Sequence, residues 1–261
     1  MTFKILTSSL LGDYPKAVNA SPLDKIDRLQ TNEAPVDHFH YYKSVSSVYS
    51  SRIEGVDIDF DSYFKYKFLN VQFQPDYTRR VDDLYAAYDF SDEHRLNLEN
   101  VKKAHAILSS SLLPEDHQGV LRTNPMFVLN RDDLIEYVAA GPALVKGEIA
   151  KLFHDIDTLI HAKLNPFEIF YYAAMLHLVF VKIHPFQDGN GRTARLIEKW
   201  FLIEKIGQTA AAVPLEKNYY SRHADYYTNI QKLGLEYGKL DYSKSLDFLL
   251  MTVEGIGSKI E

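Results

Sequence analysis

The sequence of 261 residues contains no cysteine, which excludes disulfide bonds, thiolate catalysis and cysteine-ligated zinc. Long hydrophobic runs are also missing. The longest run, residues 169–181, contains a histidine and is shorter than the roughly 20 residues that cross a bilayer. We therefore expect a buried helix there, and a cytoplasmic protein without membrane association.

An excess of positive charge is missing as well. The 29 lysines and arginines are outnumbered by 35 aspartates and glutamates, which gives a net charge of −6. Proteins that bind nucleic acids present a basic face, so we expect no nucleic-acid partner. Hydrophobic residues make up 46% of the chain, which is enough for a substantial core.

No glycine- or serine-rich linker and no internal repeat divides the chain. Apolar residues recur at helical spacing over most of its length, which predicts one or two helices within 61–88 and further helices at about 36–54, 92–111, 143–161, 166–182, 192–206, 220–236 and 243–254. In residues 126–138, two β-prone runs flank turn-forming residues and predict a β-hairpin. The expected fold class is mostly α with one hairpin.

The most informative segment is H-P-F-Q-D-G-N-G-R-T-A-R, residues 184–195, between two predicted helices. Gly189 and Gly191 allow the backbone to turn and to approach a ligand closely. The loop amides and the start of the next helix form a natural anion-binding site. Arg192 and Arg195 are three residues apart on one face of the first turn, where the helix dipole disfavours cations. An anionic ligand would explain their position.

The same segment contains groups suited to phosphate chemistry. His184 can accept a proton near neutral pH, and Asp188 can bind Mg²⁺ together with phosphate oxygens. Asn190 can donate a hydrogen bond to an oxygen on which charge develops. The alternative is a glycine-containing interhelical loop with solvated arginines, which does not explain the ordered combination of base, metal ligand and cations.

This segment resembles the signature of the Fic family, H-P-F-x-[D/E]-G-N-G-R-x-x-R, at every specified position. The family transfers AMP from ATP to a hydroxyl side chain of a target protein. The resemblance implies that His184 is the base, that Asp188 binds magnesium, and that the phosphates of ATP are bound by Gly189, Asn190, Gly191, Arg192 and Arg195. The Doc branch, which uses the same fold as a kinase, has lysine at the position of Gly191, so the glycine favours transfer of AMP.

The resemblance extends over about residues 95–240. The predicted hairpin lies where the family has a flap that holds the target by strand pairing. Residues 222–227 resemble a segment that lines the nucleotide pocket, which makes Tyr226 a candidate for ATP binding by stacking on adenine. The implied architecture is a Fic-type helical bundle with one hairpin flap. Residues 1–94 form an N-terminal helical region with an inhibitory helix, and residues 95–261 form the catalytic core and C-terminal helices.

A second family motif, [S/T]-x-x-x-E-[G/N], is matched by Ser50, Glu54 and Gly55 at the end of a predicted helix. Ser50 and Glu54 are four residues apart and share one helix face. In the family this glutamate pairs with the second arginine of the loop, here Arg195, and occupies the place that the γ-phosphate needs. The alternative is an ordinary helix end, with Glu54 in solvent and Gly55 as a cap.

His177 lies seven residues before His184, a spacing of two helical turns that could be mistaken for a metal-binding pair. A zinc site needs three or four ligands, and no third ligand stands at a suitable spacing in that helix. We therefore interpret His177 as a hydrogen-bonded core residue.

The leading hypothesis is an ATP- and Mg²⁺-dependent protein AMP-transferase that modifies a serine, threonine or tyrosine of a target protein and is inhibited by Glu54. Among enzymes, the alternatives are transfer of another phosphate-containing group and the reverse reaction, removal of AMP. An alternative of another class is a nucleotide-gated binding module without turnover. The sequence identifies neither the target, nor the signal that relieves inhibition, nor the oligomeric state.

Overall fold

The computed structural model describes residues 1–18, 21–26, 38–72, 77–129 and 134–256. Over these residues the chain is mostly helical with one two-stranded antiparallel sheet, which confirms the predicted fold class. The strands are β1, Phe127–Leu129, and β2, Ile135–Val138. The helices are α1, Tyr14–Ala17; α2, Pro22–Ile26; α3, His38–Ile53; α4, Phe60–Leu69; α5, Arg79–Glu93; α6, Leu98–Leu108; α7, Pro142–His161; α8, Pro166–Ile183; α9, Asn190–Ile206; α10, Leu215–Ser221; α11, His223–Gln231; and α12, Leu246–Glu254.

Helix α8 is the centre of the core. Every residue from Ile169 to Ile183 is buried, and the helix packs against α7, α9 and α12. It begins with a capping box, in which Asn165 and Glu168 each accept a hydrogen bond from the other's amide. Among the described helices, α8 is long and apolar enough to cross a membrane, but 83% of that window is buried inside the protein. The prediction of a buried helix is confirmed.

Helix α9 lies along α8 and brings charged groups into the interior. Its Trp200 packs into the apolar core and donates from Nε1 to the carbonyl of His94 at 2.9 Å. Arg192, Arg195 and Glu198 of the same helix are buried as well. Because an unpaired charge is costly to bury, the partners of these three residues determine what this part of the protein can bind.

Helix α3 packs on α5 and α10 and reaches α9. Its buried face carries the serines Ser44, Ser46, Ser47, Ser50 and Ser51. Ser46 donates from Oγ to the buried carboxylate of Glu216 at 2.9 Å, and Glu216 also accepts from the hydroxyl of Tyr88 at 2.7 Å. The helix ends at Ile53, and Gly55 follows with φ of 83°, as predicted for a helix stop.

The hairpin is anchored to the core through its second strand. β1 and β2 pair in antiparallel fashion, which confirms the predicted hairpin, while the predicted turn at 130–133 lies outside the described residues. The buried Tyr137 of β2 donates from its hydroxyl to the carbonyl of Lys182 at 2.7 Å. Phe127 and Leu129 of β1 are about half exposed, at 48% and 52%. The hairpin therefore has one fixed strand and one that faces solvent.

Three predicted helical segments have different bounds in the structure. The segment 61–88 forms parts of α4 and α5, and the break predicted at Pro75 falls outside the described residues. The segment 92–111 was predicted too long, because Asn97 caps α6 by accepting from the amide of Asn100 at 2.9 Å. The segment 220–236 was wrongly predicted as one helix, because the backbone leaves the helical region at Arg222, with φ −114° and ψ 40°.

Candidate active site

The predicted catalytic segment forms the junction between α8 and α9. His184 ends α8 in the left-handed conformation, with φ 54° and ψ 62°, and its amide donates to the carbonyl of Phe180 at 2.9 Å. This conformation is unusual for a residue other than glycine and needs support from its surroundings. The buried guanidinium of Arg122 provides it by donating to the carbonyls of His184 at 2.6 Å and Ile183 at 3.2 Å.

The position of Arg122 also links the catalytic turn to the hairpin. Its guanidinium donates to the carbonyls of Asn124 at 2.7 Å and Ala140 at 2.6 Å, one on each side of the hairpin. The residue pattern predicts no such role for Arg122, because a buried arginine that binds only backbone carbonyls has no distinctive local pattern. The same guanidinium thus fixes the backbone of His184 relative to both flanks of the hairpin.

The ring of His184 is held in the tautomer that a general base requires. Its Nδ1 lies 3.1 Å from the carbonyl of Val181. Because a carbonyl can only accept, Nδ1 must carry the hydrogen, which leaves Nε2 with a free electron pair. Burial is the main cause of a lowered pKa for His184, and the nearby Arg122 lowers the pKa further. The ring is therefore neutral near pH 7 and able to accept a proton.

The loop after His184 is braced by side chains from inside the fold. The carboxamide of Asn190 accepts from the amide of Phe186 and donates to its carbonyl, both at 2.9 Å. Phe186 stacks on His105 of α6 with ring centroids 3.7 Å apart. His105 accepts from the amide of Gly119 at Nδ1, so Nε2 donates to the carbonyl of Asp188 at 2.9 Å. Asn190, which is 2% exposed, therefore holds the loop from the protein interior, and its carboxamide is hydrogen-bonded to the backbone of Phe186.

The two arginines of the loop stand on the first turns of α9, next to Gly189 in the left-handed conformation (φ 78°). Arg192 is 3% exposed, and within the described part of the chain its Nε has no hydrogen-bond acceptor. The carboxylate of Asp188 lies 3.7 Å from its Nη2. A buried guanidinium N–H without an acceptor is destabilising. Its place beside a helix N-terminus therefore indicates an anionic ligand.

Asp188 is the one carboxylate of the loop, and its side chain is 55% exposed. Among the described residues, no group of three or more histidine, aspartate or glutamate side chains forms a metal site. Mg²⁺ is usually held by one or two carboxylates and completes its coordination with water and substrate phosphates. The donor set of the loop therefore fits a magnesium ion bound together with a nucleotide.

The predicted inhibitory residues lie against Arg195. Nη2 of Arg195 donates to Oε1 of Glu54 at 2.6 Å and to the carbonyl of Ser50 at 3.1 Å, while Nε donates to Oγ of Ser50 at 2.8 Å. The side chain of Arg195 is fully buried, and that of Glu54 is 28% exposed. Burial alone would raise the pKa of Glu54, but the charges of Arg195 and Arg192 outweigh this effect and lower it. Glu54 is therefore an ionised partner of Arg195 rather than a solvated helix end.

Gly191 lies directly beneath this ion pair. A Cβ atom at position 191 would be 2.4 Å from Oε1 of Glu54 and 3.2 Å from Nη1 of Arg195. The absence of a side chain is what allows the carboxylate to approach the start of α9.

Tyr226 lies behind Arg195, in the interior. The residue is 1% exposed, and its hydroxyl oxygen is 3.2 Å from Nη1 of Arg195 and 3.0 Å from Nε2 of His177. In this arrangement the ring of Tyr226 is not exposed for stacking on adenine. Tyr226 can therefore affect a bound nucleotide only through its contact with the guanidinium of Arg195. His177 is fully buried and hydrogen-bonded at both ring nitrogens, which confirms its interpretation as a core residue.

Comparison with known proteins matches residues 95–202 to the model of the Fic/DOC family. The matched residues include the whole of the segment from His184 to Arg195. Among curated relatives, "Protein adenylyltransferase fic-1" of Caenorhabditis briggsae is 24% identical over 144 residues, which cover 55% of this chain and 25% of the relative. "Protein adenylyltransferase Fic" of Nematostella vectensis is 45% identical over 64 residues, covering 24% of this chain and 13% of the relative. The chain thus spans about a quarter or less of the length of these relatives.

Solved structures show that the Fic fold extends over nearly the whole chain. A Fic family protein from Desulfovibrio desulfuricans G20 superposes with a TM-score of 0.76 at 18% identity, covering 98% of this chain and 75% of that one. Fic-1 from Caenorhabditis elegans superposes with a TM-score of 0.67 at 18% identity, covering 95% of this chain and 71% of that one. The prediction of a Fic-type helical bundle with a hairpin is confirmed.

Proposed function

We propose that this protein transfers AMP from ATP to a hydroxyl side chain of a target protein and that Glu54 restrains the reaction. The observation that carries the proposal is the buried Arg192, whose Nε has no acceptor among the described residues, at the N-terminus of α9. Phosphate oxygens supply the missing acceptors and balance the charge. The names of the curated relatives, protein adenylyltransferases, support the same activity.

The proposed chemistry is an attack by the target hydroxyl on the α-phosphorus of ATP. Nε2 of His184 accepts the hydroxyl proton while the bond between the target oxygen and the α-phosphorus forms. The bond between the α-phosphorus and the oxygen bridging to the β-phosphorus breaks, and pyrophosphate leaves with that oxygen and its electron pair. His184 suits this role because Nδ1 is occupied by the carbonyl of Val181 and the ring is neutral.

The remaining residues of the loop would hold the charged substrate. Arg192 and Arg195 would pair with the β- and γ-phosphates, and the amides of Gly189 and Gly191 would donate to phosphate oxygens. Asp188 would hold Mg²⁺, which when bound neutralises charge on the bridging phosphates and on the pyrophosphate leaving group.

The hairpin supplies the proposed contact with the target. A target segment that pairs with the solvent-facing strand β1 would gain main-chain hydrogen bonds independent of its sequence. Arg122 holds the carbonyls on both hairpin flanks and that of His184, so a segment paired with the hairpin is placed relative to the base. This geometry favours a protein substrate over a small alcohol.

Glu54 is proposed to restrain the reaction by competing for Arg195. Its carboxylate accepts from Nη2 of Arg195 at 2.6 Å, so a γ-phosphate cannot pair with that N–H until Glu54 moves. ATP can still meet Arg192 in this state, but in a pose that lacks one of its two cationic contacts.

The test uses ATP labelled at the α- or the γ-phosphate, incubated with the protein and a cell lysate, in the Glu54→Gly background. We expect α-label to appear on protein and γ-label to be absent from it. Transfer of γ-label would indicate a kinase, and ATP binding without either label would indicate a binding module. His184→Ala in the same background is the control, because it removes the base and keeps the phosphate-binding residues.

A further inference from the structure

Arg195 has two sets of partners, one on each side of its guanidinium. On the side of α3 it donates to Ser50 and Glu54. On the side of the core its Nη1 donates to the hydroxyl oxygen of Tyr226 at 3.2 Å. The proposed function requires the first set to change when ATP binds, whereas the second set belongs to α11 and remains.

The contact behind Arg195 continues into a buried chain of hydrogen bonds. Nε2 of His177 lies 3.0 Å from the hydroxyl of Tyr226, and Nδ1 of His177 lies 2.7 Å from Oε2 of Glu198. Glu198 also accepts from the hydroxyls of Tyr219 at 3.0 Å and Thr252 at 2.7 Å. All of these side chains are essentially inaccessible to solvent, so their hydrogen bonds are not exchanged for bonds to bulk water.

The direction of each proton along this chain follows from the groups at its two ends, the guanidinium of Arg195 and the carboxylate of Glu198. The guanidinium of Arg195 can only donate, so the oxygen of Tyr226 accepts from it. Nδ1 of His177 faces the carboxylate of Glu198, which accepts, so the hydrogen of the neutral ring lies on Nδ1 and Nε2 accepts the hydroxyl hydrogen of Tyr226. Glu198 thereby fixes the tautomer of His177.

The state of each group agrees with this arrangement. Burial is the main cause of the lowered pKa of His177, which keeps its ring neutral. Burial also raises the pKa of Tyr226 to about 12, although Arg195 opposes the rise, so the hydroxyl keeps its proton near pH 7. A doubly protonated His177 would leave the hydroxyl hydrogen of Tyr226 directed at another donor, which is a costly arrangement in the interior.

We infer that His177 is a positioning residue, which takes the hydroxyl hydrogen of Tyr226 so that the oxygen of Tyr226 faces Arg195 and holds its guanidinium in place. This inference rests on the proposed function, in which Arg195 meets the γ-phosphate of ATP. Glu198 selects the tautomer of His177 and so acts on the ligand through three residues, His177, Tyr226 and Arg195. The chain preorganises the cation independently of α3, so that Arg195 stays aimed at the α9 N-terminus after Glu54 has left.

The test measures how strongly the protein distinguishes ATP from ADP, since the two differ by the γ-phosphate alone. Dissociation constants for MgATP and MgADP are determined by calorimetry in the Glu54→Gly background, where Arg195 is free. Tyr226→Phe removes the hydroxyl that holds Arg195, and we expect the preference for ATP to fall about tenfold, the factor for one weakened charge-assisted hydrogen bond.

Two substitutions of His177 separate positioning from simple packing. The amide of glutamine reaches the place of Nε2, whereas that of asparagine reaches the place of Nδ1. His177→Gln keeps an acceptor for Tyr226, and we expect it to retain most of the preference for ATP. His177→Asn keeps the contact with Glu198 alone, and we expect it to lose the preference as Tyr226→Phe does. A purely structural role would make both variants lose the preference in proportion to their loss of melting temperature.

Tyr219→Phe is the matched control. Tyr219 and Tyr226 are both buried, both bind this network through the hydroxyl, and the substitution removes one oxygen in each case. Tyr219 touches Glu198 and not Arg195 in the contacts described, so its loss should lower the melting temperature and leave the preference for ATP unchanged. Should the His177 variants not fold, the comparison of Tyr226→Phe with Tyr219→Phe decides the question.

Two results would overturn the inference. One is an unchanged preference for ATP in Tyr226→Phe, with the fold intact. The other comes from NMR of the ring nitrogens in the parent protein without nucleotide, if His177 carries its hydrogen on Nε2. A Glu54→Gly protein that does not prefer ATP over ADP would instead contradict the proposed role of Arg195, while the NMR result still decides the proton arrangement.

Discussion

Replacing Glu54 by glycine tests whether this carboxylate restrains the site. The bond between Nη2 of Arg195 and Oε1 of Glu54 is 2.6 Å long and joins two opposite charges. Hydrogen bonds of this kind contribute about 1.5–3 kcal/mol net, and ATP must break this one before its γ-phosphate can meet Arg195. Without Glu54 the affinity for ATP in the reactive pose should therefore rise by about 10- to 100-fold.

The same substitution should have the opposite effect on the protein without ligand. Arg195 is fully buried, and removal of Glu54 leaves one of its N–H groups and its charge without a partner. The free energy of unfolding should fall by about 1–3 kcal/mol, which corresponds to a loss of about 2–6 °C in melting temperature for a chain of this size. MgATP should reverse this loss, because the γ-phosphate replaces the carboxylate.

The assay combines melting curves, with and without MgATP, and incorporation of α-labelled ATP. Glu54→Gly should melt at a lower temperature than the parent, its melting temperature should rise more on addition of MgATP, and it should label more strongly. A second substitution, Arg195→Ala, should cancel both the larger rise in melting temperature and the stronger labelling. Glu93→Gly is the matched control, because Glu93 is an exposed glutamate at the end of α5. The reasoning is refuted if MgATP raises the melting temperatures of parent and variant equally and both proteins label at the same rate.

Three further predictions concern the loop. His184→Ala should bind ATP as before and label about 10²–10⁴-fold more slowly, as expected for loss of a general base; labelling at the parental rate would show that another group takes the proton. Asp188→Ala should weaken binding of MgATP, and EDTA should weaken it in the parent but not further in the variant; full-rate transfer without magnesium contradicts the assignment. Because burial lowers the pKa of His184 below its ordinary 6.5 and the neutral ring is the active form, labelling by Glu54→Gly should decline only below pH 6.5; an acid limb with its midpoint above that value would rule out His184 as the titrating base.

The sequence predicted the parts of the fold that depend on periodicity. The apolar run of α8, the amphipathic α9 and the two β-prone runs of the hairpin all satisfy local rules, and the structure contains each of them. The errors fall where a side chain overrides the pattern. The cap formed by Asn97 delays the start of α6, and the backbone turn at Arg222 divides a predicted helix into α10 and α11.

The residues of the candidate site also differ in how far the sequence could predict them. The residues between His184 and Arg195 are local in sequence, so roles could be predicted for them from their order. Residues that support them from elsewhere, such as Arg122 and His105, bind backbone carbonyls across long separations. Such contacts depend on tertiary packing and leave no periodic signal, which is why the sequence indicated the candidate residues of the loop but not the residues that hold the loop in place.

The close approach at Gly191 links two positions that are distant in the sequence. A Cβ atom there would lie 2.4 Å from Oε1 of Glu54, so even alanine would displace the carboxylate from its place over α9. Substitutions at positions 54 and 191 should consequently be non-additive, since either one disturbs the same contact. If Glu54 restrains the reaction as proposed, a single methyl group at position 191 would remove that restraint with the N-terminal motif intact, and a search for active variants that inspects only position 54 would overlook it.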